Sequence, residues 1–374
     1  MRPALPCCLL TATALLLSAC GGSSHKAAAA PATVQVSVTS CGVGWKPAAA
    51  GQQHIVLADT DSRPGEVRLV SPRTGAVFAD VEPIGPATTA NMDVNLAAGT
   101  YAFRCLMEDE AAVTGPSVTI TGAAVDPAPG VIPVDQTDLI PATKAYQAYV
   151  SHALPGLARH VATLRHDIAA HDTATAKKDW LIAHQSYERL GAAYDAFGDL
   201  DGAINGLTST SGFHGIEFGL WHGQAANQLS DEVDTLAENV DKLAGVFAKA
   251  QVDPLTISIR AHEISENALQ FELTGRDDFG SHSELATVSA NLDGTKTVLA
   301  IVAPLLASRT KNLPVIDAQL AKAKALVDAQ RDAPVWTPLS GLTTREREDI
   351  DAAINQLCED LAPVASILEP RRTS

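Results

Sequence analysis

The sequence predicts two domains of different class in one chain, an N-terminal β-sandwich followed by an all-α domain of helical bundles. Three observations carry this expectation. Residues 33–122 are cut into short runs rich in Val, Thr and Ile, separated by Gly and Pro. After Asp138 the apolar period changes to that of a helix, and it holds to about residue 368. Between the two lies a joint, residues 123–137, that carries Pro127, Pro129, Gly130 and Pro133.

The chain opens with a targeting signal. Met1 and Arg2 precede an apolar run from Leu9 to Leu17, too short to span a bilayer and shaped like the apolar region of a secretory signal. It ends in Leu17-Ser18-Ala19-Cys20, which has the form of a lipobox, so residues 1–19 are expected to be removed and Cys20 to take lipid. Residues 20–32, rich in Ala and Ser, then read as a flexible tether. These features place the expected protein in the cell envelope, anchored on the extracytoplasmic side of a bacterial membrane, periplasmic or at the cell surface.

Composition is that of a packed domain protein: 46% of the 374 residues are hydrophobic. Asp and Glu number 43 against 27 Lys and Arg, a formal net charge of −16, which argues against nucleic acid as a partner. Of six cysteines, Cys7 and Cys8 belong to the signal and Cys20 to the lipobox; Cys41, Cys105 and Cys358 remain. In an oxidising compartment the first inference for Cys41 and Cys105 is a disulfide. Cys358 falls on a late helical pattern and reads as a small buried hydrophobe.

The sandwich expectation rests on about seven short strands: 33–40, 54–60, 66–70, 76–81, 88–96, 100–106 and 117–121. In the helical half, Ser230, Asp253-Pro254 and the pattern from Thr343 to Glu346 read as helix starts.

Metal-ligand chemistry is concentrated in three helical stretches. In GFHGIEFGLW, Gly212 to Trp221, His214 and Glu217 stand at i and i+3, neighbours on one helical face. A helix read from Thr175 to Phe197 puts Trp180, His184, Tyr187, Gly191 and Tyr194 on one stripe, with Glu188 and Asp195 at its edge. A carboxylate turned toward a core needs a partner, whether a cation, a donor or a metal. A third helix, about Leu255 to Leu273, carries His262 and Glu266 in the middle of an apolar stripe and a second apolar stripe beside it, so that pair is expected to point inward. Imidazoles and carboxylates without thiolates suit iron, manganese or zinc better than copper(I). A zinc-peptidase HExxH pattern is absent at His262-Glu263, where Glu266 replaces the second His.

Four ordered blocks carry a resemblance. YERLGAAYDAFGDLDGAING (Tyr187 to Gly206), GFHGIEFGLWHGQ (Gly212 to Gln224), RAHEISENALQFELTG (Arg260 to Gly275) and NLDGT (Asn291 to Thr295) resemble the imelysin-like domain of the EfeO family, exported iron-binding components of ferrous-iron uptake systems. The resemblance spans roughly residues 139–368. It implies two helix bundles and a metal site that includes His214 and Glu217, with Glu188 as the upstream carboxylate. Many members carry a further glutamate and aspartate where this chain has Gly191 and Asn205, so its site would either hold fewer carboxylates or draw on Asp195, Asp199, Asp201, His262 or Glu266 instead. The first domain resembles the cupredoxin-like domain of the same family through Cys41-Gly42, Glu66 and Tyr101 to Cys105. Blue copper needs two histidines, and His54 is the lone one there. The resemblance leaves two states open for Cys41, Cys105, Glu66 and Met107: a second metal site, with copper among the candidates, or a disulfide between the two cysteines.

The function implied is capture of ferrous or ferric iron, with zinc or manganese as alternatives, and its delivery to a membrane iron permease. The implied system has a haem-peroxidase-like component as well. A metallopeptidase-like or haem-handling role is the alternative.

Overall fold

A computed structural model describes residues 32–46, 49–206, 208–332 and 335–372. The expected signal, the lipobox cysteine Cys20 and nearly all of the tether lie outside the described residues.

Among the described residues eight strands build the first domain: β1 (Ala32–Val36), β2 (Gly51–Asp59), β3 (Gly65–Val70), β4 (Val77–Ile84), β5 (Thr89–Leu96), β6 (Gly99–Met107), β7 (Val113–Thr114) and β8 (Val118–Ile120). One sheet runs β1-β2-β5; the other runs β4-β3-β6-β7, with β8 also on β6. β1 pairs parallel to β2, and the remaining ladders of both sheets are antiparallel. Alternation along each strand gives one shared core. Val34, Val36, Ile55, Leu57, Met92 and Val94 meet Val67, Leu69, Phe103 and Cys105 there. Trp45 stands edge-on to Phe103, centroids 5.0 Å apart, and Cys41 is bonded to Cys105 across 64 residues.

Among the described residues ten helices follow: α1 (Gln136–Ala169), α2 (Thr173–Glu188), α3 (Tyr194–Phe197), α4 (Asp199–Asn205), α5 (Gly212–His222), α6 (Ala226–Phe247), α7 (Pro254–Gln270), α8 (Glu284–Leu306), α9 (Leu313–Asp328) and α10 (Thr344–Leu368). α1 packs on α2 and α6, with α5 against α6; α7 to α10 form a second bundle in which α10 returns to α7. α2 and α1 against α8 join the two. Asp135 caps α1 in a box with Asp138, and Thr343 with Glu346 does the same for α10. Asp253 caps α7 ahead of Pro254. Ser230 starts no helix; α6 already begins at Ala226. The helical half also holds one small antiparallel ladder, β9 (Arg331–Asp332) with β10 (Val335–Trp336), which the all-α expectation lacks. Among the described residues no helix is long and apolar enough to cross a membrane.

The helix expected from Thr175 to Phe197 is broken. α2 ends at Glu188, a 3-10 turn takes Gly191–Ala193, and α3 stops at Gly198, whose φ of +58° suits glycine. A single helical projection therefore fails beyond Glu188.

The chain's end ties the domains together. Arg372 Nη1 donates to the Met107 carbonyl (2.9 Å), the Arg68 guanidinium donates to the Arg372 carbonyl (2.7 Å), and Arg371 pairs with Glu82 (3.0 Å).

Candidate metal centre

α5 is set by glycine. Gly212 has φ +62°, and a Cβ there would lie 2.4 Å from the Ile204 carbonyl oxygen, so the entry of α5 presses against the end of α4 as only glycine allows. One turn in, His214 and Glu217 are both buried, with Nδ1 and Oε2 3.2 Å apart. Glu217 turns its other oxygen to a loop: the N–H groups of Phe279 and Ser281 donate to Oε1 at 3.1 and 3.0 Å.

α2 supplies a second pair of the same chemistry. His184 Nε2 lies 3.1 Å from Glu188 Oε1, both nearly sealed from solvent. Trp180 stacks on the His184 ring and anchors to the Phe213 carbonyl through its indole N–H (2.8 Å). The rings of His184 and His214 are 5.3 Å apart, so the two pairs face one another. Asn205 Oδ1 comes within 3.3 Å of His184 Nε2.

These groups line a cavity of about 370 Å³ between the bundles, closed by Arg260, Ile264 and Asn267 of α7, by Phe271 and Glu272 just past its end, by Asp277, Asp278, Phe279, Ser281 and Ser283, and by the start of α8. Gly191 and Asn205, where the resemblance showed departures, are both in its wall. A Cβ at Gly191 would sit 3.2 Å from Ile264 Cδ1, so a larger side chain there must displace the α7 wall.

The acids of the cavity crowd one another. Burial lifts the Glu272 carboxyl to about 8, and the charge of Glu188 adds to it; Asn291 donates to its Oε1 (3.1 Å). Burial also raises the carboxyls of Asp277 and Asp201, despite a hydrogen bond from Tyr187 to Asp201 (2.5 Å). For His184, burial opposes the charged form, but the hydrogen bond and charge of Glu188 and the charge of Glu217 outweigh it, and its pKa is raised. Each shift has the sign expected of negative charge held out of water without enough positive charge beside it. Among the described residues, four buried atoms of this wall have no hydrogen-bond partner: His184 Nδ1, Arg260 Nε, Glu272 Oε2 and Glu284 Oε2. Orphaned donors and acceptors at such depth are costly, and a cation would satisfy a carboxylate and relieve the repulsion. The two pairs do not close to within 4.8 Å as a trio; among the described residues, Asp278, His282 and Glu284 do, and so do Glu66, Asp80 and Glu82. An ion held by the inner pairs would need a modest turn of their side chains.

The other sequence candidates fall elsewhere. Asp195 lies past the helix break and is 59% exposed, paired with Arg260 (2.8 Å) outside the cavity. His262 and Glu266 pair with each other (3.1 Å), but on the face of α7 that meets α10: His262 Nδ1 contacts the Cys358 carbonyl (3.0 Å), and Glu266 is 44% exposed. The helix is buried on more than one side, as its stripes predict, and its other side meets the cavity through Arg260, Ile264 and Asn267. Asp199 is absent from the wall, whereas Asp201 is in it. In the first domain the four-residue ligand set is not assembled. Register places Val67 opposite Cys105 and Glu66 opposite Leu106, so the pleat puts Glu66 on the sheet face away from Cys105 and Met107. Glu66 pairs with Arg68, and the sulfurs of Cys41 and Cys105 are joined to each other.

Sequence reasoning missed His184, Glu272 and Asp277 as lining residues. His184 shares the i, i+4 spacing of the His262 pair and stood beside Trp180 on the inward stripe, which was a usable signal. Asp277 lies between helices, where no period reports direction, and Glu272 falls in a 3-10 turn past the end of α7, where the period read from Leu255 to Leu273 no longer holds.

The imelysin family model matches residues 142–364. Three curated relatives are each named "Iron uptake system component EfeO". The protein of Yersinia pseudotuberculosis serotype I is 25% identical over 303 residues, 78% of this chain and 79% of the relative. That of Yersinia pestis is 26% identical over 305 residues, with the same coverage. That of Escherichia coli O157:H7 is 25% identical over 309 residues, 78% of this chain and 80% of the relative.

Proposed function

We propose an iron-capture role for this chain, which belongs to the imelysin family: it would bind ferrous or ferric iron in the cavity between its bundles as cargo for an uptake system. The observation that carries the reading is the pair of facing imidazole–carboxylate couples, His184 with Glu188 and His214 with Glu217, beside the orphaned carboxylate oxygen of Glu272. Hard carboxylates with borderline imidazoles favour iron, and the same set would accept zinc or manganese. The likeness to relatives named as iron uptake components supports the choice of iron, and their naming as components rather than peptidases supports a binding role.

The finer reading has three parts. Cys20 would carry lipid and hold the protein at the extracytoplasmic face of the membrane. Iron would pass to a membrane permease, in a system that includes a haem-peroxidase-like component. The N-terminal sandwich, taken as cupredoxin-like, would serve as a docking module stapled by Cys41 and Cys105, with no copper held by sulfur.

Calorimetric titration of the purified, metal-free protein with Fe(II), Fe(III) and Zn(II) tests the reading. Iron binding is expected, with one bound iron lost in His214→Ala with Glu217→Ala. No iron binding, or binding unchanged in the double variant, would overturn it.

A further inference from the structure

We propose that Asp278, His282 and Glu284 form a second cation site at the rim of the cavity, taking a divalent first-row transition ion such as zinc or manganese. One ligand atom from each of these residues lies within 4.8 Å of the others. The donor set is one imidazole and two carboxylates, whose two negative charges match a divalent ion and whose mixed oxygen and nitrogen character suits this metal class.

Hydrogen bonding within the loop holds the first two ligands in place. Asp278 Oδ1 accepts from the N–H groups of Gly280 (3.0 Å) and His282 (2.9 Å), while Oδ2 lies 2.6 Å from His282 Nδ1. An ion would take the place of the proton shared by Oδ2 and Nδ1, since metal ligands bind deprotonated. The independent observation is Glu284. It is more than nine-tenths buried at the first turn of α8, yet its Oε2 has no hydrogen-bond partner. A buried carboxylate oxygen without a donor is expensive. A cation between the three residues supplies the missing partner.

The position gives the site a role. Asp278 and Glu284 belong to the cavity wall, whereas the His282 side chain is 66% exposed, so an ion here stands between solvent and the inner pairs. The connecting residues are those whose N–H groups hold Glu217 Oε1. An ion that draws Glu217 inward would loosen the segment that carries the outer ligands. The outer site is thus placed to receive an ion before it reaches the inner pairs.

Titration of the purified, metal-free protein with Zn(II), read as bound ions per chain, tests the site without reference to iron. Wild type is expected to bind two ions. Asp278→Asn with Glu284→Gln should bind one, and so should His214→Ala with Glu217→Ala, each pair deleting a different ion. His282→Ala, at an exposed side chain, guards against a folding defect in the first variant and should weaken one of the two ions at least tenfold. Unchanged stoichiometry and affinity in both His282→Ala and the Asp278/Glu284 variant would overturn the proposal. If the inner variant alone binds no zinc-dependent ion fewer, the inner reading fails while the outer site stands.

Discussion

Two pairs in this molecule have the same chemistry and the same spacing, and they are different objects. His184 with Glu188 and His262 with Glu266 are each an imidazole and a carboxylate at i and i+4, 3.1 Å apart. The first is sealed in a cavity opposite another such pair, and the second ring nitrogen of its histidine has no partner. The second lies where α7 meets α10, with its other ring nitrogen against the Cys358 carbonyl and its carboxylate half in water. What separates a ligand pair from a structural one is therefore the fate of the remaining polar atoms, which spacing does not encode.

The largest effect expected from this contrast is on iron affinity. His184→Ala should weaken binding by about 100-fold, close to 2.8 kcal/mol at 1.4 kcal/mol per decade. His262→Ala should change it by less than about threefold, because the lost contact is to a backbone carbonyl remote from the cavity. Competition against a chelator of known strength measures both, and equal losses would dissolve the distinction.

The pH dependence sharpens the contrast next. With the Glu272 carboxyl raised to about 8, the group is protonated in the metal-free protein at neutral pH, and an ion must displace that proton. Affinity should then rise as pH rises toward about 8, with a flatter profile in Glu272→Gln. The sign for the metal-free fold is the opposite: a raised carboxyl contributes stability below its unfolded value and loses it as pH rises through about 8. Melting temperatures across that window should fall in wild type and fall less in Glu272→Gln.

A third test separates the domains. Removing the Cys41–Cys105 bond by Cys41→Ser with Cys105→Ser should cost the sandwich about 4 kcal/mol in the chain-entropy model for a 64-residue separation, seen by denaturant unfolding. Iron affinity of the cavity should stay within about twofold, since no atom of the bond approaches it. The smallest expected effect is at Asp195, where Asp195→Asn removes a half-exposed pair with Arg260 worth up to about 1 kcal/mol and should leave iron binding unchanged.

Much of the fold was legible because periodicity reports burial. Short β-branched runs marked the strands, and capping at Asp253, Thr343 and Glu346 marked helix starts where the structure has them. Direction was legible for His214 and Glu217, whose helix is buried almost all round. It was lost at two kinds of place. Beyond Glu188 the helix breaks into a 3-10 turn, so an angle carried forward to Asp195 is meaningless. On α7 both faces are buried, and the sequence cannot say which neighbour, α10 or the cavity, each face will meet. The sheet face of Glu66 was open to reading from the alternation of Val67 and Leu69, but its partner Arg68 is held by the Arg372 carbonyl, 304 residues on from Arg68, which no local pattern reports. A loop acid such as Asp277 has no period to reveal where it points, and at Glu272 the helical period fails because α7 ends at Gln270.

The central claim is that iron sits between the two facing pairs. Crystals of the iron-loaded protein, measured across the iron absorption edge, test it most directly. The account predicts an anomalous peak within coordination distance of His184, Glu188, His214 and Glu217. A peak at His262 and Glu266, or iron found only in the N-terminal sandwich, would contradict it.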